Sequence, residues 1–499
     1  MTMDLNKVSV VRWFEDTNKH SCGYCKSENS ISQGMWAESL TVDDYQELID
    51  RGWRRSGKYC YKSLMEQTCC PLYTIKCDVI NFLLSKSQKK VIKRFNKFLK
   101  DGNIKYEDNI QFEEPDNHSD LHQNHPKMNL SDLSASISNS IQQNNLTSIE
   151  TPSTSNTDEI DLNEMDNLQQ KTEKICDKAS NSSQLKVNTK TPLKVGVGAD
   201  PTKPPCKKAK ILRIERKKAK GLQFQKSPPV SNQKSLEQFL EEVSENDKKK
   251  LRMCLIPTSV PNSTWKASED IEFQLYKKYQ MVIHNDPPSK LSLDGFDRFL
   301  VKSPLKPKQF PEGIDGPGYG SFHQQYWIND RLIAVGVIDI LPRCVSSVYF
   351  FYDPDYRSLT LGTYGSLREV QLTRYLQKNL PHLSSYYMGF YIHSCPKMRY
   401  KGKLTPSYLV CPETYHWVPI EKCISLLEAN KYSRLEEDID AIDENLPTQR
   451  DISEIQVIYQ RHLMRYDDFD EFGDESEKFK LIANFIGKKC CRSLIFWEQ

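Results

Sequence analysis

The chain has 499 residues, a formal net charge of +3 and 15 cysteines. This length predicts two to four domains with enough chain for a sizeable core. No apolar run approaches the roughly 20 residues of a membrane span, and the N-terminus lacks the apolar region of a signal peptide. We therefore expect a cytoplasmic and nuclear protein without membrane partners, in which cysteines are reduced thiols or metal ligands.

The first segment, residues 1–102, predicts a small cysteine-rich domain with many aromatic residues. Thr41 is placed to cap a short helix, with Asp43 and Asp44 favourable in its first turn. Residues 86–100 predict a basic helix with one apolar stripe. That helix either docks on its domain by the stripe or offers its basic face to phosphates.

Four cysteines of this segment predict a metal site. Cys22 and Cys25 form a C-x-x-C pair around a turn at Gly23, and two thiolates at this spacing can chelate one ion. The adjacent Cys69 and Cys70 can join them only if the backbone bends between them. His20 and Cys77 are alternative ligands, and packed free cysteines are the alternative without a metal.

Residues 103–233 predict a long disordered linker, because Asn, Ser, Asp, Gln and Thr dominate and aromatic residues nearly vanish. A basic cluster at 207–220 lies within it. The cluster predicts a nuclear-import signal or contact with an RNA backbone, and a solvated run of charges is the alternative.

After this linker, the composition of residues 234–436 is again that of a folded segment and predicts an α+β domain. Short runs of β-branched and aromatic residues at 319–327, 334–341, 345–353 and 386–393 are typical of strands. Helices are expected after Ser235 and over 271–283 and 361–380. Residues 437–499 form an acidic tail for which the sequence suggests no function.

Polar residues interrupt these otherwise apolar strands. Asp339 lies inside a core strand, and further polar residues occupy strand positions or ends: His323, Gln324, Gln325, Tyr352, Asp353 and His393. Buried polar groups cost free energy unless they are paired. Several together therefore predict a site, although packing is the alternative for each histidine and tyrosine taken singly.

Six motifs along the chain resemble those of the eukaryotic arginyl-tRNA–protein transferases: residues 22–25 (CGYC), 51–59 (RGWRRSGKY), 320–326 (GSFHQQY), 336–342 (GVIDILP), 352–356 (YDPDY) and 387–398 (YMGFYIHSCPKM). The resemblance covers most of residues 10–100 and 235–435. It implies transfer of arginine from arginyl-tRNA to the α-amino group of proteins with N-terminal Asp, Glu or oxidised Cys. Such a modification marks those proteins for ubiquitin-dependent degradation.

The resemblance also implies a GNAT-type acyltransferase core, with which the predicted strand–strand–helix order is compatible. It points to Cys22, Cys25, Cys69 and Cys70 as holding an iron–sulfur cluster or zinc, since all-sulfur ligation suits both. Residues 357–365 keep glycines but miss the spacing of the loop that binds coenzyme A pyrophosphate. We therefore expect no coenzyme A.

We expect two kinds of site residues in such an enzyme. For catalysis, Asp339 can pair with the arginyl guanidinium or accept the amine proton, and Tyr352 or His393 can relay protons. Arg54, Arg55 and Lys58 suit an acidic N-terminus or a phosphate. The remaining candidates for substrate binding are His323, Gln324, Gln325, Asp353, and, at the tRNA acceptor end, Lys397, Arg399 and Lys401.

Two other functions remain compatible with the sequence. A coenzyme A-dependent N-acetyltransferase would share the fold, and a non-catalytic adaptor that binds degrons or RNA would use the cysteine-rich and basic segments alone. The missing pyrophosphate loop argues against the first, and the polar residues in the core strands argue against the second.

Overall fold

The computed structural model describes residues 8–103, 234–242, 246–258, 263–470 and 476–498, which belong to one unit built on two eight-stranded sheets. The predicted linker from residue 104 onwards, with its basic cluster, lies outside the described residues. The strands are β1 Ser9–Trp13, β2 Asn18–His20, β3 Ser30–Ser39, β4 Arg54–Ser56, β5 Tyr59–Ser63, β6 Tyr73–Asp78, β7 Leu251–Pro257, β8 Gly320–Ile328, β9 Arg331–Ile340, β10 Cys344–Tyr352, β11 Ser385–Tyr391, β12 Ser407–Val410, β13 Trp417–Pro419, β14 Gln456–Tyr459, β15 His462–Arg465 and β16 Leu494–Trp497.

The α-helices are α1 Val42–Asp50, α2 Lys86–Asp101, α3 Leu236–Leu240, α4 Ser263–Tyr279, α5 Leu293–Phe296, α6 Leu361–Gln377, α7 Ile420–Ala429, α8 Gln449–Ser453, α9 Tyr466–Asp470 and α10 Ser476–Cys491. Among the described helices, none combines the length and the apolar character that crossing a membrane requires.

The first sheet has the order β15-β14-β16-β1-β3-β5-β4, and β2 pairs with β3. Its inner strands come from both ends of the chain, because β16 pairs in parallel with β1 and with β14. The acidic tail therefore contributes to this sheet, and Phe496 of β16 is fully buried in the core beneath it.

The second sheet has the order β13-β12-β6-β11-β10-β9-β8-β7. Strand β6 comes from the cysteine-rich segment, yet it lies inside this sheet between β11 and β12. The predicted segment boundaries at residues 102 and 436 therefore do not coincide with the division between the sheets. The first sheet combines strands from the first segment and the tail, and the second sheet combines β6 of the first segment with strands of residues 234–436.

Strands β10 and β11 are joined through α6 and pair in parallel only at their beginnings. The paired residues are Cys344 with Ser385, Val345 with Tyr386 and Ser346 with Tyr387. Beyond Ser346 this ladder ends, and a bulge between Ser347 and Tyr349 shifts the register of β10 against β9. The two strands therefore leave a gap at their carboxyl ends.

Local signals in the sequence located the helices well. The side chain of Thr41 accepts a hydrogen bond from the amide of Asp44 at the start of α1, as predicted. Helix α2 buries its apolar stripe and begins with a capping box between Ser85 and Gln88. Helix α4 starts earlier than expected, because its first turns bury Trp265 and Ser268 although the aromatic spacing begins later.

We predict that Phe496→Ala lowers the free energy of unfolding by about 3–5 kcal/mol, since it opens a cavity under the first sheet. Urea denaturation measures this loss. The matched control is Ile439→Ala, whose side chain is 85% exposed, and it should change stability by less than about 0.5 kcal/mol. Equal losses in the two variants would show that β16 does not contribute to the core.

Candidate functional site

A cleft opens where β10 and β11 separate. Residues 346–348 of β10 and 388–390 of β11 line one wall, and residues 20–24 and 30–32 of the cysteine-rich segment line the other. Three buried cationic residues are part of its lining: Arg54, Arg55 and Lys401. Crevices at the carboxyl ends of parallel strands are common ligand sites in open α/β sheets.

Arg55 and Asp339 form an ion pair across the two sheets. Arg55 Nη2 lies 2.6 Å from Asp339 Oδ1, and Nε lies 2.8 Å from Oδ2. Both side chains are 0% exposed. Ser321 Oγ donates a further hydrogen bond to Asp339 Oδ1 at 2.7 Å. The Asp339 carboxylate raises the pKa of the Arg55 guanidinium despite its burial.

This pair supplies the cation that an ionised Asp339 needs. Because both carboxylate oxygens are engaged by Arg55 and Ser321, the structure gives Asp339 a partner within the chain and no open oxygen for an arginyl group. Its position indicates that it orients Arg55.

Arg54 is held beside the cleft by backbone carbonyls. It donates to the carbonyl of Trp53 at 2.6 Å and to that of Gly389 in β11 at 3.3 Å. Its guanidinium also lies over the ring of Phe390, 5.1 Å from the centroid. The Nε group of Arg54 has no hydrogen-bond partner among the described residues, so it remains as a donor for a ligand.

Lys401 is buried next to Arg54. Its Nζ donates to the carbonyl of Phe390 at 2.9 Å. Burial, together with the neighbouring charge of Arg54, lowers the pKa of Lys401 to about 7. An anion entering the cleft would therefore meet a group that can take up a proton near neutral pH.

The other cationic candidates lie elsewhere. Lys58 pairs with Glu38 at 3.2 Å and does not line the cleft. Lys397 and Arg399 are exposed in the segment that precedes Lys401. Arg399 Nε donates to the carbonyl of His393 at 2.7 Å. These two exposed cations precede the buried lysine in the sequence and do not line the cleft.

The polar residues of β8 form a network away from the cleft. His323 Nδ1 lies 2.6 Å from Glu272 Oε2, and Gln325 donates to Glu272 Oε1 at 2.6 Å. The amide oxygen of Gln324 accepts from the hydroxyl of Tyr326 at 2.8 Å. These contacts tie β8 to α4 and satisfy the buried polar groups.

Three further candidates also lie outside the cleft. Asp353 caps the turn that follows β10 and pairs with Lys278 at 2.6 Å and with Arg331. The Tyr352 ring packs edge-on against that of Tyr279. His393 Nδ1 lies 2.8 Å from the Tyr391 hydroxyl, and burial lowers the pKa of the imidazole. None of the three lines the cleft.

The four predicted cysteines come together at the edge of the cleft. The Sγ atoms of Cys22, Cys25, Cys69 and Cys70 lie within 4.8 Å of one another. Four thiolates around one tetrahedral ion would be about 3.8 Å apart at a metal–sulfur distance of about 2.3 Å. The donor set therefore fits a metal. The alternative ligands His20 and Cys77 are not part of this group among the described residues.

Glu369 on α6 is a buried acid that no motif of the sequence singled out. Tyr386 donates a hydrogen bond to Oε2, whereas Oε1 has no partner in the part of the chain that the structure describes. Burial raises the pKa of Glu369 to about 7. A Cβ atom at Gly336 would come within 2.8 Å of Oε1, so β9 needs glycine there. The available signal was its position in the helix predicted over 361–380, where Leu372 and Leu376 follow it at helical spacing.

Breaking the ion pair should destabilise the protein. We predict that Asp339→Asn lowers the free energy of unfolding by about 3–5 kcal/mol, because Arg55 keeps a buried charge without a counter-charge. Urea denaturation provides the measurement. Lys58→Met, which breaks a partly exposed pair, serves as the control and should cost less than about 1 kcal/mol. A loss of that smaller size for Asp339→Asn would contradict the role given to the pair.

The buried lysine should make stability depend on pH. Since the Lys401 pKa is about 7 in the folded protein and about 10.4 in an unfolded chain, the unfolded state binds more protons between these values. The free energy of unfolding should therefore rise with pH by about 1.4 kcal/mol per unit from this group. Unfolding at about pH 7.5 and about pH 9.5 tests this: the wild type should gain stability relative to Lys401→Met. Parallel profiles would contradict the prediction.

Comparison of the sequence with known proteins shows to which family this chain is similar. The family model described as arginine-tRNA-protein transferase, N terminus, matches residues 20–90, and the corresponding C-terminus model matches residues 271–411. The chain is 42% identical to arginyl-tRNA–protein transferase 1 of Drosophila melanogaster, over 98% of this chain and 99% of the relative.

Two further relatives show how far the similarity extends. Arginyl-tRNA–protein transferase 2 of Arabidopsis thaliana is 37% identical over 84% of this chain and 76% of its own length. An aspartate/glutamate leucyltransferase of Acinetobacter baylyi is 30% identical over 32% of this chain and 50% of its own length. The near-complete coverage of the fly protein and the matches at both ends show that the chain belongs to the arginine-tRNA-protein transferase family.

Proposed function

We propose that this chain transfers arginine from arginyl-tRNA to the α-amino group of proteins whose N-terminal residue is acidic. Its family supports the reaction. We choose an acidic acceptor because two buried cations, Arg54 and Lys401, line the cleft between β10 and β11. An acidic side chain next to the reacting amine is the ligand that such cations favour.

The reaction does not require covalent catalysis by a residue of the protein. The ester that links an amino acid to tRNA is already activated, and an α-amine has a pKa near 8. The protein must align amine and ester, allow the ammonium to lose its proton and stabilise the oxyanion. A narrow cleft with fixed donors suits these tasks.

The acceptor carboxylate is proposed to meet Arg54 and Lys401. The buried Nε of Arg54, which has no partner among the described residues, is proposed to provide one hydrogen bond. A bound carboxylate would favour the charged form of Lys401, whose pKa burial lowers to about 7. The Acinetobacter relative is named an aspartate/glutamate leucyltransferase, which supports an acidic acceptor for this chain as well.

The tRNA is proposed to approach from the exposed side of the cleft. Lys397 and Arg399 are exposed in the segment that leads to Lys401 in the sequence, and we assign them to that side. Helix α2 buries its apolar stripe and exposes basic residues, so its docking on the core leaves a basic face for phosphates. Residues 357–365 support aminoacyl-tRNA over coenzyme A as the donor, since they lack the pyrophosphate-binding spacing.

The proposal assigns the second sheet to a GNAT-type core. Antiparallel β8, β9 and β10 are followed by the crossover helix α6 and the parallel strand β11, in keeping with the strand–strand–helix order of that fold. Tyr352 and His393, first considered as proton relays, are not part of this proposal because neither lines the cleft.

The four cysteines are proposed to hold one metal ion. Such an ion would cross-link the loops that carry Cys22, Cys25, Cys69 and Cys70, and would thereby shape the cleft wall to which Cys22 and Cys70 belong. The short separations of the Sγ atoms support a single ion such as zinc, because an iron–sulfur cluster spreads its thiolates over several irons.

The test of function combines two acceptors with matched variants. Arginine transfer from charged tRNA should favour a peptide that begins with Asp over one that begins with Asn. Arg54→Met should reduce kcat/KM for the Asp peptide by roughly 10- to 100-fold, because a charged hydrogen bond is lost. Lys58→Met, outside the cleft, is the control. An unchanged preference for Asp in Arg54→Met would remove Arg54 from the acceptor site.

Metal analysis tests the cysteine site. The purified protein should contain zinc or iron, and the double variant Cys22→Ser with Cys25→Ser should lose it, because two of the four thiolates are gone. Sulfide released with iron would identify a cluster instead of a single ion. Full metal content in the double variant would rule out these ligands.

A further inference from the structure

A small cavity lies beside the cleft, between β5, β6 and the turn that joins β12 to β13. Its lining includes Lys62 and Ser63 of β5, Thr74 of β6 and Tyr415 of the turn. The cavity offers about 30 Å³ to the centres of water-sized atoms, whereas one water needs roughly 10–15 Å³. Ser63 also lines the cleft, so the two spaces share part of one wall.

Positive charge exceeds negative charge around this cavity. The buried residues Arg51 and Lys62 both line it. Arg51 engages both carboxylate oxygens of Asp443, at 3.0 Å through Nη1 and at 2.8 Å through Nη2. Among the described residues, Asp443 is the only carboxylate that pairs with either cation. The site therefore holds two cationic side chains and one anionic one.

Lys62 has only neutral partners. Its Nζ donates to the Tyr415 hydroxyl at 2.7 Å and to the carbonyl of Phe485 at 3.4 Å. Burial, together with the charge of Arg51, lowers the pKa of Lys62. A buried ammonium group without a counter-charge is costly, so Lys62 favours an anion beside it.

Hydroxyl groups of the lining supply further hydrogen-bond donors. Thr74 Oγ1 and Ser63 Oγ are buried and have no partner in the part of the chain that the structure describes. The Tyr415 hydroxyl accepts the bond from Lys62, and its own proton meets no acceptor among the described residues. Each hydroxyl can donate one hydrogen bond. The cavity thus combines excess positive charge with donors that lack acceptors.

Gly52 shows that two of these groups border the same open space. If Gly52 carried a Cβ atom, its nearest neighbours beyond the adjoining residues would be Thr74 Oγ1, at 3.9 Å, and Lys62 Cε, at 4.0 Å. Gly52 lines the cavity, so the unpartnered hydroxyl and the end of the lysine side chain both face it. Its φ of +89° favours glycine, which keeps this space free of a side chain.

We propose that this cavity binds a small inorganic anion of the size of chloride. Lys62 supplies the opposite charge, and the hydroxyl groups of Thr74 and Tyr415 donate hydrogen bonds to the anion. A water molecule could bridge the hydroxyl groups, but it would leave Lys62 without a counter-charge. The anion instead favours the protonated form of the lysine. The inference goes beyond the proposed function and does not depend on it.

The experiment measures binding of chloride itself. The NMR line of chloride is recorded with the protein at constant ionic strength, with sodium gluconate as the balancing salt. The wild type should broaden the line, and added bromide should reverse the broadening by competing for the site. Lys62→Met should lose this contribution. The control Lys58→Met removes a lysine that does not line the cavity, and it should broaden the line as the wild type does.

Thr74→Val provides a second variant that keeps the shape of the side chain and removes its donor. Its affinity for chloride should fall roughly 10- to 100-fold, because a hydrogen bond to a charged group is lost. In gluconate alone it should be at least as stable to urea as the wild type, because a buried hydroxyl without a partner is gone. These opposite effects separate loss of the site from general destabilisation.

Two results would overturn the inference: a wild type that broadens the chloride line no more than Lys62→Met does, or a folded Thr74→Val that binds chloride as tightly as the wild type. If Lys62→Met does not fold, the comparison with Thr74→Val decides alone. Either overturning result would mean that the cavity holds water only.

Discussion

The ion pair between Arg55 and Asp339 fixes how the two sheets meet, and the cleft depends on that relation. Arg55 extends from β4 at the edge of the first sheet, and Asp339 lies in β9 within the second. Both groups are fully buried, so neither can be satisfied by water. The neighbouring Arg54 reaches the carbonyl of Gly389 in β11. The two arginines thus contact the strands on either side of β10, where the cleft opens.

In both sheets, some neighbouring strands come from segments that are distant in the sequence. Strand β6 lies between β11 and β12, and β16 pairs with β1. Neither the cysteine-rich segment nor the tail therefore has a complete sheet of its own. Contacts of such long sequence separation are typical of slowly folding proteins. They also mean that a substitution in the tail can affect the cleft through the first sheet.

Buried titratable groups of opposite charge lie beside β10 and β11. In the cleft lie Arg54 and Lys401, and burial together with the charge of Arg54 lowers the pKa of the lysine to about 7. Behind the strands lies Glu369, whose burial raises its pKa to about 7. The charged form of each group is unfavourable in its buried position unless a group of opposite charge lies beside it.

The sequence alone indicated the local elements and, with His20 and Cys77 as alternatives, the four cysteines of the candidate metal site. Capping residues, helical spacing and β-branched runs located α1, α2 and β8 to β11, because these signals act within a few residues. The cysteine spacing likewise selected the four thiols that the structure brings together. The sequence also identified Arg54, Arg55 and Lys401 as charged candidates for substrate binding.

Only the tertiary structure shows which groups these charged residues contact. Nothing in the sequence pairs Arg55 with Asp339, which are 284 residues apart, or inserts β6 into the second sheet. Asp339 was expected at a substrate because an acid in an apolar strand needs a partner, and its partner proved to be within the chain. Glu369 escaped notice because a single acid on a helix is ordinary until its burial is known. Burial and long-range pairing arise from packing between segments, so they become visible only when the whole chain is folded.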